Sequence, residues 1–349
     1  MANSTVMEAN PLFVDIATDP DIAVAAERMA GEDLCSISDL SSAEVRAVLK
    51  IGHAVKHNPQ EFRWALDAKQ MVLMFEKASL RTRLSFETGI NTLGGSAIFV
   101  DQTQSPLGER ESLADTARNL ERWASVLVLR TYAHDTVTEI ASYASIPVIN
   151  ALSDFEHPCQ TLADFMTLEE HYGYSKGLNF TYIGDGNNVC HSLMLTAAKL
   201  GVNCTIATPR GYSPDVEIVD MAKELSVENN CEFKLTQDPH AAVVEADAIY
   251  TDVCTSMGFE HESTKREPIF RPYQVNEALM AEARPNAVFM HCLPARRNAE
   301  VTDAVMDGPQ SIIFDQAENR LHAQKAILLL LLGAVRNTQT ARGKSGTTY

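Results

Sequence analysis

The chain has 349 residues, long enough for two domains of ordinary size, and its 45% apolar and 21% charged residues are the balance of a globular protein. A formal charge of −17, from 29 Lys and Arg against 46 Asp and Glu, argues against nucleic acid or an anionic membrane as partner and suits a cationic small substrate. The seven cysteines (Cys35, Cys159, Cys190, Cys204, Cys231, Cys254 and Cys292) are odd in number and never spaced C-x-x-C, which argues against a disulfide frame or a zinc site and points to a reducing, cytoplasmic compartment.

Residues 1–32 read as an N-terminal extension. They are acidic, with a single Arg28 near their end and no basic region ahead of an apolar core, so neither a secretory nor an organelle-import signal is expected. Ile22 to Met29 fits a short helix. Ser36 to Ser41 is a helix start, and Glu44 to Lys56 repeats apolar residues at helical spacing.

Met71 to Phe75 is an apolar run of strand length, and from Ser79 the spacing turns helical until a Gly94-Gly95 stop. The first turn of a helix leaves backbone N–H groups unpaired, and these attract anions. Ser79 and Thr82 add donors there, and Arg81 or Arg83 adds a planar fork matched to phosphate oxygens. The ordinary alternative is a capping Ser with Arg83 paired to Glu87 one turn on.

Further strands are predicted at Ser96 to Val100, Val126 to Leu129 and Val148 to Asn150, with helices over Ser112 to Trp123 and from His157 through Met166. The alternation restarts at Asn179 to Ile183. It continues with strands at Asn203 to Ala207, Glu232 to Leu235, Ala248 to Thr251, Ala287 to Met290 and Ser311 to Phe314, before a final apolar helix over Ala317 to Val335. Its longest apolar run, Ala326 to Leu332, is too short to span a bilayer. The polar tail after Arg336 is expected to be disordered. Strand and helix in alternation predict the α/β class, with parallel sheets wrapped by helices, and the restart places a division near residues 155–160.

In such sheets ligands bind beyond the carboxyl ends of the strands, and the unusual polar residues fall at those ends. Arg130 ends one strand and His157-Pro158-Cys159-Gln160 opens the helix after another. Gly184-Asp185-Gly186-Asn187-Asn188, Asp252 to Gly258, and His291-Cys292-Leu293-Pro294 come after three more. Each alone reads as a capped loop; several together read as one cleft. The Gly184-x-Gly186-x-x-Val189 spacing is similar to a dinucleotide fingerprint, but no carboxylate stands about twenty residues on, and only Arg210 keeps an NADP oxidoreductase as a remote alternative. Cys292 is either a nucleophilic thiolate or a buried thiol acting as a small apolar group. No His or Cys pair has the spacing of metal ligands, and no metal is expected.

Taken in order, Phe75-Glu76-Lys77-Ala78-Ser79-Leu80-Arg81-Thr82-Arg83, Arg130-Thr131, His157-Pro158-Cys159-Gln160, Gly184 to Asn188, Asp252-x-x-x-Ser256-Met257-Gly258, His291-Cys292-Leu293-Pro294 and Glu318-Asn319-Arg320 resemble the aspartate/ornithine carbamoyltransferase family, over residues 35–335. The resemblance implies two doubly wound parallel-sheet domains: a carbamoyl phosphate-binding domain of residues 33–156 with 319–340, and an ornithine-binding domain of residues 157–318. Residues 341–349 remain a disordered tail. It also implies transfer of a carbamoyl group from carbamoyl phosphate to the δ-amine of L-ornithine without a cofactor, by a homotrimer or a multiple of trimers.

Residue by residue, the resemblance places the phosphate on Ser79, the backbone of Leu80, Arg81 and Thr82, with Arg130 spanning phosphate and carbonyl. His157 matches a donor to the carbonyl oxygen and Gln160 a partner of the carbamoyl nitrogen. The backbone of Cys292 and Leu293 and the side chain of Arg320 complete that pocket. Asn188, Asp252, Ser256 and Met257 match the ornithine site, with Asp252 and Cys292 near the attacking amine. An alkyl ammonium has a pKa near ~10.4, so the amine must lose a proton first; Asp252 with Cys292 and the leaving phosphate are the candidate acceptors.

Two positions depart from the family. Leu80 stands where Thr is more common, and Pro106 precedes Leu107-Gly108 where many relatives carry a Gln that reaches a neighbouring subunit, a place Gln102 or Gln104 can take. Cys292 favours ornithine over aspartate, and the Ser256-Met257-Gly258 loop favours it over putrescine and acylated ornithine. Putrescine or an acylated ornithine is the alternative acceptor. A catalytically inactive scaffold is disfavoured by the intact Arg81, Arg130, His157 and Arg320.

Overall fold

The computed structural model describes residues 19–254 and 262–335. Ser256 and Met257, the first part of the N-terminal extension and the expected tail of residues 341–349 lie outside the described residues.

Four apolar runs pair first. β1 (Gln70–Phe75), β2 (Ser96–Asp101), β3 (Val126–Arg130) and β4 (Val148–Leu152) form a parallel sheet in the order β2-β1-β3-β4. All five residues of β3, and Met71 to Phe75 of β1, are buried. Continuous apolar strands of this kind require helices over both faces of the sheet. Those helices are α1 (Pro20–Arg28), α2 (Ser42–His57), α3 (Leu80–Thr92), α4 (Leu113–Leu120) and α5 (His134–Tyr143). The start of α2 is fixed by a capping box, in which Ser41 Oγ accepts from the Glu44 N–H at 3.3 Å and the Glu44 carboxylate accepts from the Ser41 N–H at 2.6 Å.

α6 (Pro158–Tyr172) leads from this sheet to the second. It ends at Gly173, whose φ of +80° closes the helix in a left-handed turn without steric cost. The second sheet contains β5 (Asn179–Ile183), β6 (Asn203–Ala207), β7 (Phe233–Thr236), β8 (Ala248–Thr251) and β9 (Val288–His291), parallel and in the order β7-β6-β5-β8-β9. Helices α7 (Asn188–Leu200), α8 (Val216–Glu228), α9 (Pro239–Val243), α10 (Ser263–Phe270), α11 (Glu277–Met280) and α12 (Asp303–Met306) surround it.

The predicted strand at Ser311 to Phe314 does not form. Ser311 makes a single bridge to Phe289, and α13 (Ile313–Leu331) begins two residues later. The apolar run Ile312 to Phe314 is too short to carry a period of its own, and here it opens a helix. α13 returns to the first sheet and packs on α2, α3 and α6; every residue from Ala323 to Leu331 is buried. No helix among the described residues is long and apolar enough to cross a membrane.

Both sheets reverse their strand order at the middle. In the first the reversal lies between β1 and β3, and in the second between β5 and β8. Crevices at the carboxyl ends of the strands open at such reversals.

Candidate active site

The segment between β1 and α3 opens at the first reversal. Ser79 caps α3, its hydroxyl accepting from the Thr82 N–H at 3.3 Å, so the free N–H groups of the first turn face outward with it. Leu80 is exposed, which leaves its backbone as its polar contribution. Of the two arginines, Arg83 is already engaged: it pairs with Glu87 at 2.9 Å and lies 3.8 Å over the Phe99 ring. The ordinary reading therefore holds for Arg83. Arg81 has no ion pair among the described residues, and burial lowers its pKa.

Arg130, the last residue of β3, stands in register with Phe75 of β1. It is only 8% exposed, and its Nε is buried with no hydrogen-bond partner among the described residues. Burial, then the charges of Arg320 and Arg81, pushes its pKa down to about 9. His157, at the start of α6, is buried too; burial, then Arg320 and Arg130, holds it well below its usual pKa. A neutral imidazole offers one N–H donor, and its Nδ1 has no partner among the described residues.

Arg320 comes from α13 and joins the sides. Its Nη2 donates to Thr82 Oγ1 at 3.0 Å, and its Nη1 donates to Gln160 Oε1. Three guanidiniums thus converge with no carboxylate paired to them among the described residues. Buried charge without a counterion is costly, and a small dianion is the ligand that relieves it.

Asp252 comes directly after β8, at the second reversal, and Cys292 directly after the neighbouring edge strand β9. The Cys292 thiol donates to Asp252 Oδ1 at 3.0 Å, and Asn187 Nδ2 donates to Asp252 Oδ2 at 2.8 Å. Burial, then the Asp252 charge, raises the Cys292 thiol well above its usual pKa. It is a protonated donor, and the thiolate nucleophile has no support. Leu293 is held with φ +59°, its N–H donating to His291 Nδ1 at 2.9 Å, while His291 Nε2 lies 3.2 Å from Glu300 Oε1. Asp252, His291 and Cys292 bring potential metal donors within 4.8 Å of one another, but both imidazole nitrogens of His291 are already hydrogen-bonded.

Of the expected residues, Ser79, Arg81, Thr82, Arg130, His157, Gln160, Arg320, Asp252, Cys292 and Leu293 all lie at or beside carboxyl ends of the two sheets. Asn188 is in the first turn of α7, its Nδ2 donating to the Ser153 carbonyl at 2.6 Å. Ser256 and Met257 lie outside the described residues. Sequence reasoning missed Asn187, which touches Asp252 directly. It sits in the same Gly-rich loop, and an Asn at a helix cap looks the same whether or not it does more.

The chain's similarities agree with this geometry. The profile of the aspartate/ornithine carbamoyltransferase carbamoyl-P binding domain matches residues 32–170, and that of the Asp/Orn binding domain matches residues 176–331. An ornithine carbamoyltransferase of Shewanella oneidensis is 49% identical over 296 residues, 85% of this chain and 98% of that one. A relative from Pyrococcus furiosus, named ornithine carbamoyltransferase, anabolic, is 46% identical over 313 residues, 88% of this chain and 98% of its own. The solved structure of ornithine carbamoyltransferase from Pyrococcus furiosus superposes with a TM-score of 0.85 at 46% identity, covering 87% of this chain and 98% of that one. With two profiles spanning both sheets and relatives matched along nearly their whole length, the chain belongs to the aspartate/ornithine carbamoyltransferase family.

Proposed function

We propose that the cleft binds carbamoyl phosphate against Ser79, the Leu80 backbone, Arg81, Thr82, Arg130, His157, Gln160, Arg320 and the Cys292–Leu293 backbone. L-ornithine then lies against Asn188, Asp252, Ser256 and Met257. The observation that carries this reading is the meeting of three guanidiniums that pair with no carboxylate among the described residues with a neutral His157, in a chain that also sets an Asp252–Cys292 pair at the matching end of the second sheet.

The reaction is ornithine carbamoyltransfer. The neutral δ-amine attacks the carbamoyl carbon, a C–N bond forms, the C–O bond to phosphate breaks, and citrulline and phosphate leave. Thr82, Arg130 and His157 face the oxyanion that develops, where each aimed donor lowers the barrier by ~3 kcal/mol. Arg81 and the N-terminal turn of α3 hold the departing dianion. Asp252 suits the ammonium of the incoming amino acid and, with the leaving phosphate, is a candidate for its proton.

In this reading residues 33–156 with 319–340 form the carbamoyl phosphate-binding unit and residues 157–318 the ornithine-binding unit. The seven cysteines are all free, which supports a reducing cytoplasmic setting. The anabolic designation of the Pyrococcus relative supports a biosynthetic role, in arginine formation, and the family resemblance supports a homotrimer. The test is one assay: carbamoyl phosphate is supplied with ornithine, putrescine, aspartate and N-acetylornithine in turn. Citrulline from ornithine at the highest kcat/KM is expected. A preferred ureido product from another acceptor overturns the assignment.

A further inference from the structure

Asp164 stands in the middle of α6, fully buried, and makes no substrate contact in the proposed reaction. Its Oδ1 accepts from two amides at once, Gln160 Nε2 at 2.7 Å and Gln316 Nε2 at 2.7 Å. An ionised carboxylate only accepts, so each glutamine must turn its NH2 toward Asp164 and its carbonyl oxygen away. For Gln160, away is toward Arg320, whose Nη1 donates to it. For Gln316, away is the backbone N–H of His291, at 2.9 Å. Were either amide reversed, donor would face donor at one end and acceptor would face acceptor at the other.

The connections run further on both sides. Arg320 donates to Thr82, in the first turn of α3, and His291 accepts from the Leu293 N–H beside Cys292. An unbroken line of hydrogen-bonded groups therefore joins the phosphate side of the cleft to the amine side, with Asp164 at its centre. Resting on the proposed carbamoyltransfer, we infer that Asp164 is a positioning residue for both substrates: it aims the Gln160 carbonyl oxygen and Arg320 at the carbamoyl group, and through Gln316 it anchors the strand end that carries Cys292 and Leu293. Burial raises the Asp164 carboxyl to about 7 against the opposing pull of the two amides, Arg320 and the Tyr250 hydroxyl.

The second carboxylate oxygen supplies the test. Asp164 Oδ2 is buried beside the Tyr250 hydroxyl, which interacts with the carboxylate but makes no well-aligned hydrogen bond with it. Asp164→Asn keeps one acceptor for both amides and places its NH2 where the Tyr250 oxygen can accept. Asp164→Leu keeps the branched shape, with bulkier methyl groups in place of the oxygens, and removes both acceptors. Steady-state rates with each substrate varied, on protein whose circular dichroism matches wild type, should show Asp164→Asn retaining at least a third of kcat. Asp164→Leu should lose tenfold or more in kcat, with a raised KM for both substrates.

A smaller loss in folded Asp164→Leu overturns the inference, and so does Asp164→Asn falling below a third of kcat, because charge rather than orientation would then be what matters. If Asp164→Leu does not fold, Gln316→Met decides: the strand end it anchors serves carbamoyl phosphate through the Cys292–Leu293 backbone and the amine through the Cys292 side chain, so KM should rise at least fivefold for both substrates. A smaller rise for either substrate overturns it. Wild type that makes no citrulline removes the reading and the inference together; active wild type with indifferent variants removes the inference alone.

Discussion

Arg130 ends a buried strand and carries a charge that no neighbouring carboxylate balances among the described residues. That is an expensive arrangement for an empty protein and a useful one for a protein that takes up an anion. Arg81→Ala or Arg130→Ala is expected to lower kcat by about 100-fold or more, the size of one lost transition-state donor. Circular dichroism should remain unchanged, and near-normal rates in both variants would remove the phosphate assignment. Asp252→Asn should act on the other substrate, raising ornithine KM or lowering kcat while the carbamoyl phosphate Kd holds; equal loss for both ligands would remove that division. Arg130 and Asp252 are legible in the sequence because they stand at the ends of apolar runs, and Ser79 and Arg81 because they open the helix that follows one, with several such tips falling in one cleft. Asp164, Asn187 and Gln316 are not. Their roles depend on partners 65 or 152 residues away, and no local spacing encodes that.

Among elements, the loops around the first crevice are held by one acid. Glu76 is buried just after β1, and its two oxygens accept from the Leu107 N–H at 2.9 Å and the Tyr132 N–H at 2.8 Å. It thereby ties the turn after β1 to the loops after β2 and β3. Glu76→Ala leaves two partly buried N–H groups without acceptors and is expected to destabilise the fold by about 2 kcal/mol. Urea unfolding measures this, and a change under about 0.5 kcal/mol would mean that water replaces the carboxylate at no cost. The strands themselves are readable, since β1, β3, β5 and β8 are apolar runs of strand length. Ser311 to Phe314 defeats the same reasoning because a run that short takes its conformation from its neighbours in the chain. Here the neighbour is the long apolar helix α13, which extends back over it.

In the whole molecule, the two sheets are joined by polar groups as well as by α6 and α13. Glu156, between β4 and α6, accepts from the Ile37 N–H at 3.1 Å and from Ser192 Oγ at 2.9 Å, and Lys199 of α7 donates to the carbonyls of Ile37 and Leu40. The 3-10 turn Ile37–Asp39 is thus gripped from both sides. Nearby, burial pushes Asp33 up to about 6, with Asp39 and Glu32 adding to the shift. Its folded pKa lies above the unfolded one, so the folded state binds the proton more tightly. Stability from this group is present at low pH and lost as pH rises from about 4 through about 6. Asp33→Asn, which keeps the acceptor for the Val148 N–H, should therefore raise the urea midpoint relative to wild type more at pH 7 than at pH 4. A difference independent of pH would rule out the titration. Glu170 acts in the opposite sense: His53, Asn319 and Lys56 overcome its burial and hold it at about 2, so its contribution is lost as pH falls toward that value.

The bond from the Cys292 sulfur to Asp252 has a chemical consequence beyond substrate handling. Alkylating reagents and peroxides attack sulfur in its anionic form, and this residue keeps its hydrogen at neutral pH. A cysteine set beside a substrate cleft is thereby spared much of the covalent damage that such a location invites, and Cys292 should stay unmodified in iodoacetamide at neutral pH.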